Sequence, residues 1–363
     1  MRLLLLALAA TVLLAACNAA PRQVLPSGGG ETDLGKTEHQ EKNQKPNNGP
    51  IQEKNIRSIA DQSAEKVFGW LDEETIVFSA HNMLKSHNLF TGKETTIFKT
   101  SGQISDVQIN QAKKRLLIQS AAENASMELN LVTNEGDLLF KHQFDGYEFQ
   151  SAWNPFQPDL IFLTAFKQDW TYTTFLIHAG QNKIERQSLQ IPFANWSSED
   201  TLEYLKWNNK APETSAPLYR YHLSSGKKEK IYDDIVAFAV FSDVRLAVKK
   251  PSAGNKGEFM FSEADSGFPL SQYSQPLAPN YSSWDPGEYD YDSKTKSFYL
   301  FNQKQLKKIN VESGEDQIVL SDIPMEPINL SPDGMYALYG YSFEQVISIL
   351  DKKIVKIMKE GDE

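Results

Sequence analysis

From about Glu65 to the C-terminus the chain consists of short runs of Val, Ile, Leu, Phe, Tyr and Thr. Gly, Asn, Asp, Ser or Pro interrupts them about every 6–10 residues, the punctuation of strands and turns. No stretch carries a long apolar stripe of period 3.6, so the pattern predicts an all-β fold. The runs group into units of about 35–45 residues, the spacing of four-stranded propeller blades. In the first unit the expected strands are Lys66–Trp70, Thr75–Ala80, His87–Phe90 and Glu94–Lys99, with a loop over His81–Ser86. Outer hairpin turns recur at Asn134–Asp137, Ala179–Asn182, Ser224–Lys227, Asp265–Gly267 and Glu312–Glu315. Their Gly residues supply the positive φ that a tight hairpin requires.

Units begin near residues 66, 104, 148, 191, 235, 282 and 324. The reading is therefore an all-β β-propeller of four-stranded blades, seven favoured, with six or eight as alternatives. The sixth unit is the least regular, because Asp285–Lys296 reads as a long turn rather than a strand. A lone four-stranded blade leaves both faces in water, whereas radial stacking buries them and keeps only short edges. Trp70, Ile109, Trp153, Trp196, Phe241 and Leu330 fall in one column of the repeat, where large side chains would wedge between neighbours. Closure is expected from Asn55–Ala60 pairing as an outer strand of the last unit.

The N-terminus has a different texture. Met1-Arg2 precedes a nearly pure Leu/Ala run from Leu3 to Leu14, which ends in Leu14-Ala15-Ala16-Cys17. That run is shorter than the ~20 residues of a spanning helix and suits a signal-peptide core. Residues 18–55 are polar, with Ser27-Gly28-Gly29-Gly30 and Lys45-Pro46-Asn47-Asn48-Gly49-Pro50 and no apolar periodicity. Such a composition cannot offset chain entropy by burial, so a disordered tether is expected, about 30–35 Å in r.m.s. span. Among 20 Phe, 14 Tyr and 6 Trp the first is Phe68. The expected division is thus a signal peptide over 1–16, a lipidated Cys17 and tether over 17–55, and the propeller over 56–363.

The tetrapeptide ending at Cys17 resembles the lipobox of bacterial lipoproteins, and the resemblance implies acylation of Cys17 and extracytoplasmic anchoring to the cell membrane. Ser331-Pro332-Asp333-Gly334 before Tyr336–Tyr339 is similar to the turn of TolB-like and other WD40-related propellers. Lipobox, polar tether and irregular units together resemble the YqgU-like β-propeller lipoproteins of Gram-positive bacteria. The resemblance lends no catalytic residues, and the missing Trp-Asp blade ends set the chain apart from true WD40 proteins.

Charge and motifs narrow the chemistry further. With 37 Lys and Arg against 47 Asp and Glu, the net charge is −10, which argues against a nucleic-acid partner. Cys17 is the only cysteine, so an intrachain disulfide framework and a thiolate zinc site are excluded. No Gly-x-Ser-x-Gly, His-Glu-x-x-His, EF-hand or P-loop pattern occurs, and no cofactor or metal is expected. Ser63-Ala64-Glu65-Lys66 matches Ser-x-x-Lys by chance, since its partner motifs are missing. Asp285, Glu288, Asp290 and Asp292 read as a solvated acidic turn.

In a propeller, the loops joining second to third strands and those joining units share one face. The sequence places Asp169, Trp170 and Tyr172 there, with Trp207 and Asn208, His81, Tyr147 and Tyr281. Exposed rings beside Asp and Asn suit recognition of a cell-envelope protein, peptide or glycan. The competing reading is a carbohydrate lyase or hydrolase with acids such as Glu148, Asp169 and Glu326 at the channel mouth.

Overall fold

The computed structural model describes residues 55–358, apart from 123–125, 209–212 and 281–282. The expected signal peptide, Cys17 and nearly all of the expected tether lie outside the described residues, as does Tyr281.

The chain forms antiparallel sheets, within each of which successive strands pair with one another. The first sheet comprises β1 (Ala64–Trp70), β2 (Thr75–Ala80), β3 (Met83–Asn88) and β4 (Glu94–Lys99). The second is β5 (Ile104–Asn110), β6 (Arg115–Ala121), β7 (Ser126–Thr133) and β8 (Leu138–Asp145). The third is β9 (Glu148–Trp153), β10 (Leu160–Phe166), β11 (Tyr172–His178) and β12 (Lys183–Gln187). A seven-stranded sheet follows, with β13 (Asn195–Ser198), β14 (Thr201–Leu205), β15 (Ala216–His222) and β16 (Lys228–Val240). It continues through β17 (Val244–Lys249), β18 (Lys256–Glu263) and β19 (Pro269–Pro276). A short ribbon, β20 (Ala278–Asn280) and β21 (Ser283–Asp285), leads to β22 (Tyr289–Asp292), β23 (Ser297–Asn302), β24 (Gln305–Asn310) and β25 (Asp316–Ser321). The last sheet is β26 (Ile328–Leu330), β27 (Tyr336–Tyr339), β28 (Gln345–Ser348) and β29 (Lys353–Lys356). Strand β16 bends near Asp234, whose φ is 61°; Lys228–Tyr232 pair with β15, Ile235 pairs with both neighbours, and Ala237–Val240 pair with β17.

The apolar alternation of the strands is spent between sheets. Val77, Leu84 and Val107 join the first sheet to the second, and Leu129, Phe149 and Trp153 join the second to the third. Phe162 and Trp196 bridge β10 and β13, Leu218 and Val240 bridge β15 and β16, and Phe259 and Phe298 bridge β18 and β23. Phe301 and Leu330 link the last two sheets, and Trp70, Ile76, Leu338 and Val346 link the last sheet to the first. The succession returns to its start, so the sheets form a closed propeller ring.

Side chains reinforce these seams. The indole N–H of Trp70 donates to Asn329 O at 2.9 Å, and that of Trp196 to Ala152 O at 2.8 Å. Each therefore buries a large ring without leaving its one polar group unpaired. Asp290 Oδ2 accepts from the Leu330 N–H at 2.7 Å and from Asn329 Nδ2 at 3.1 Å. Within the seven-stranded sheet a charged knot takes this part. Glu203 and Arg245 are both fully buried, and Arg245 Nε and Nη2 donate to the two Glu203 oxygens at 2.7 and 2.6 Å. Arg220, opposite Glu203 in register, donates to Glu203 Oε1 from Nε and Nη2 at 3.1 and 3.0 Å.

Several sequence expectations change. Strand β3 begins at Met83 rather than His87, because His81 adopts φ 56° and the turn needs only two residues. His87 is consequently buried, its Nε2 donating to Arg57 O at 2.9 Å. Asp285–Lys296 is not one long turn but contains β22, where Asp290 and Asp292 are buried. Asp292 Oδ1 accepts from the Lys294 N–H at 2.9 Å, capping the turn that follows. Phe241 is one position out of column: Val240 makes the last cross-strand pair, as Trp153 does in β9, and Phe241 faces the opposite seam. A one-residue slip in a strand changes which side a residue faces. Finally, 55–63 forms no strand. It clasps the last sheet by one backbone bond, Ile59 N–H to Ile357 O at 2.8 Å, and by Ser58 Oγ to Lys356 O at 3.1 Å.

Candidate functional site

Strand direction sorts the turns onto two faces. Connections such as β2–β3 and β10–β11, with the links between sheets, share an upper face; connections such as β1–β2 and β3–β4 share a lower one.

On the upper face, Lys167–Thr171 joins β10 to β11. Trp170 N–H donates to Lys167 O at 2.9 Å and Lys167 N–H to Thr171 O at 2.8 Å, which closes a tight loop. Asp169 Oδ1 accepts from the Thr171 hydroxyl at 2.7 Å and from its N–H at 3.0 Å. These bonds hold the Asp169 carboxyl below the usual carboxylate range. The loop fixes Trp170 at φ 63°, a left-handed backbone that is unusual for a bulky side chain.

Trp170 stands over the edge of Phe166, with ring centroids 6.1 Å apart. Tyr172 lies 5.6 Å from the same ring, and Phe193, from the link between β12 and β13, stacks on it at 5.7 Å. Tyr147 belongs to the link between β8 and β9, and its N–H donates to Phe166 O at 2.6 Å. This approach depends on Gly146, where an added Cβ would sit 2.9 Å from the Phe149 ring. Phe166 is buried, whereas Tyr147 is 66% exposed, Trp170 54% and Phe193 43%. Trp170 and Phe193 thus present aromatic rings to water against one buried ring, and the exposed Tyr147 is tied to the same residue through its backbone. Burial of the half-covered Tyr172 pushes its phenol up.

The remaining expected residues are more dispersed. Trp207 is 40% exposed in the β14–β15 connection, and the neighbouring Asn208 Nδ2 donates to Glu213 Oε1 at 3.4 Å. His81 is exposed on the first sheet, 3.9 Å from Glu65. The acids named for catalysis belong to different elements. Glu148 lies opposite Phe166 in register, Asp169 is committed to its own turn, and Glu326 precedes β26. Burial, with Glu344 nearby, raises the Glu326 carboxyl above its usual range. Among the described residues no group of three or more His, Cys, Asp or Glu is placed to hold a metal ion. No helix among them is long and apolar enough to cross a membrane. The Ser63 hydroxyl donates to Asp61 Oδ1 at 2.6 Å, so it supports the entry to β1.

Two features were missing from the sequence reading. Phe193 precedes the strand of Trp196, but Pro192 removes a ladder donor and β13 begins only at Asn195, which leaves Phe193 in the link. On the lower face, a half-open cleft of about 550 Å³ lies between turns of the first, second and last sheets. The Ser331–Gly334 turn was visible in the sequence, but its neighbours across the cleft come from the other end of the chain.

A Bacillus subtilis (strain 168) protein named uncharacterized lipoprotein YqgU is 34% identical over 304 residues, covering 82% of this chain and 85% of that protein. An uncharacterized protein from Listeria monocytogenes EGD-e, lmo1340, has a crystal structure similar to this one, with a TM-score of 0.76 at 20% identity. The likeness covers 85% of this chain and 99% of that one. The β-propeller domain of the Trilobed protease from Pyrococcus furiosus matches with a TM-score of 0.51 at 12% identity, over 82% of this chain and 100% of that domain. Both structural likenesses concern the fold alone. Residues 88–340 match the family described as the YqgU-like 6-bladed beta propeller domain. With sheets closed in a ring, a relative 34% identical over most of its length and a family match spanning most of the described residues, the chain belongs to the YqgU-like β-propeller family.

Proposed function

We propose that this chain is a membrane-anchored extracytoplasmic lipoprotein whose propeller binds or scaffolds a cell-envelope protein, peptide or glycan. The anchor is a lipid on Cys17, supported by Leu14-Ala15-Ala16-Cys17 and by the lipoprotein name of the Bacillus relative. The recognition surface is the upper face, and the observation carrying it is the pair of exposed rings at Trp170 and Phe193 against Phe166, with the exposed Tyr147 hydrogen-bonded to the Phe166 backbone. Flat rings on hydrogen-bonded turns offer contact area at small entropic cost, as interface anchors do. Asp169, Tyr172, Trp207, Asn208, His81 and Tyr281 are the further contact residues of this reading.

The same reading counts seven blades. Strand β16 serves as the outer strand of the fourth and the inner strand of the fifth, and an apolar cluster separates each successive pair. The family description counts six; its match starts at the last residue of β3 and stops just after β27, leaving out strands at both ends of the chain.

The experiment is photocrosslinking in living cells with a reactive residue at position 170 or at Leu350, an exposed position on the lower face. Adducts formed from position 170, and lost on adding Tyr147→Ala and Phe193→Ala, support the proposal. No adducts, or equal adducts from both positions, refute it.

A further inference from the structure

The lower-face cleft is built by ring closure. One wall is the Leu71–Glu74 turn, where Leu71 N–H donates to Thr75 O at 2.7 Å. There Asp72 Oδ1 accepts the N–H groups of Glu74 and Thr75 at 2.9 and 2.7 Å. The second wall comes from the second sheet, where the Asn134 N–H donates to Lys114 O at 3.1 Å and ties the β7–β8 turn to the β5–β6 turn. The third is the Ser331–Gly334 turn, with Gly334 N–H to Ser331 O at 2.9 Å and Ser331 Oγ to Asp333 Oδ1 at 2.6 Å. Each wall is locked by its own hydrogen bonds, so the concavity exists before any ligand arrives. Its volume lies within the ~300–1,000 Å³ of small-molecule sites.

Its lining is chemically divided. Leu71, Ala112 and Pro332 supply apolar surface, Glu73 and Glu135 carboxylates, and Lys114 an ammonium. Among the described residues, none of Glu73, Glu135 and Lys114 forms an ion pair. Asn134 Oδ1 has no hydrogen-bond partner, so its carboxamide can turn to a ligand without losing a bond there. Glu73, Lys114 and Glu135 are exposed and solvated in the free cleft, so a cation alone would complement only the two carboxylates, and an anion alone would be repelled by them. A molecule carrying both charges satisfies both.

From this arrangement we infer that the lower-face cleft binds a zwitterionic ligand of the amino-acid or short-peptide class. Its ammonium lies between Glu73 and Glu135, its carboxylate on Lys114, and its backbone meets Asn134. The site is separate from the aromatic group on the upper face, so it stands or falls independently of the proposed recognition function.

The test is isothermal titration of the full chain with alanine tripeptide bearing free termini, with its N-acetylated form and with its C-amidated form. The free tripeptide is expected to bind, and acetylation to weaken it at least about tenfold, because two carboxylates lose their partner. Lys114→Met is expected to weaken the free peptide about fivefold and to leave the amidated peptide unchanged, an outcome that a merely structural lysine would not give. Leu350→Ala, an exposed position on the lower face outside the cleft, is expected to leave tripeptide binding as it was. No binding at millimolar peptide, equal binding of free and acetylated forms, or equal effects of Lys114→Met on both carboxyl forms would overturn the inference.

Discussion

Glu203→Gln tests the seven-stranded sheet at its most exacting point. The substitution keeps the side-chain volume and removes one charge. Arg245, fully buried, would lose the carboxylate that accepts hydrogen bonds from its Nε and Nη2 at 2.7 and 2.6 Å. Arg220 is less affected, because its side chain remains 19% exposed and water can solvate part of it. Breaking a buried pair from one side costs about 3–5 kcal/mol, since the orphaned guanidinium stays desolvated. At ~2–4 °C per kcal/mol for a large domain, the melting temperature should fall by on the order of 10 °C. The double replacement Glu203→Leu with Arg245→Met removes both charges and should recover about half of that loss. Recovery stays incomplete because Arg245 also donates to Glu263 O, at 3.3 Å, and to Ala264 O. The assay is thermal and urea unfolding of the parent, Glu203→Gln, Glu203→Leu, Arg245→Met and the double variant. A Glu203→Gln variant within ~1 kcal/mol of the parent, or a double variant less stable than either single one, would refute the reasoning.

Trp196→Phe should cost about 1–3 kcal/mol in urea unfolding, because the buried Ala152 carbonyl loses its indole donor while most of the ring packing remains. Trp196→Ala should cost about 3–5 kcal/mol, and equal costs for the two would mean that the hydrogen bond is immaterial. Trp170→Gly should leave stability unchanged or raise it by up to ~1 kcal/mol through relieved left-handed strain, read by urea unfolding; a clear drop in stability would assign Trp170 to the core. The Lys85 ammonium and Ser63 hold the Asp61 carboxyl far below the usual carboxylate range. Its depressed folded pKa means that this contribution is fully present above the unfolded value, ~3.9, and is lost as pH falls through the folded value. Acid unfolding below about pH 4 should therefore be shallower in Asp61→Asn than in the parent; equal slopes would show that Asp61 contributes nothing.

The fold was legible because its units repeat. Strands β2 and β4 occupy the ranges that alternation marks, and the turn glycines and the Trp70, Trp153 and Trp196 column follow from local sequence. The errors concern residues whose neighbours come from another unit. The Phe241 column slip could not be seen locally, since Val240 and Phe241 are both apolar and only the pairing of Val240 with Arg245 decides between them. Asp290 reads as a solvated acid until β26 arrives with the Leu330 N–H. Trp170 and Tyr147 were each marked as exposed candidates, but no spacing rule predicts that Gly146 brings Tyr147 onto Phe166 or that Phe193 completes the group.

Hydrophobic alternation and turn chemistry act over a few residues, so the all-β class, the four-stranded unit and the apolar seams follow from local sequence. Tertiary structure alone decided which loops meet, where an aromatic group gathers and where a divided-charge cleft opens. Those features depend on distances between segments far apart in the chain. Such distances exist only after ring closure has buried sheet faces that no unit could shelter alone.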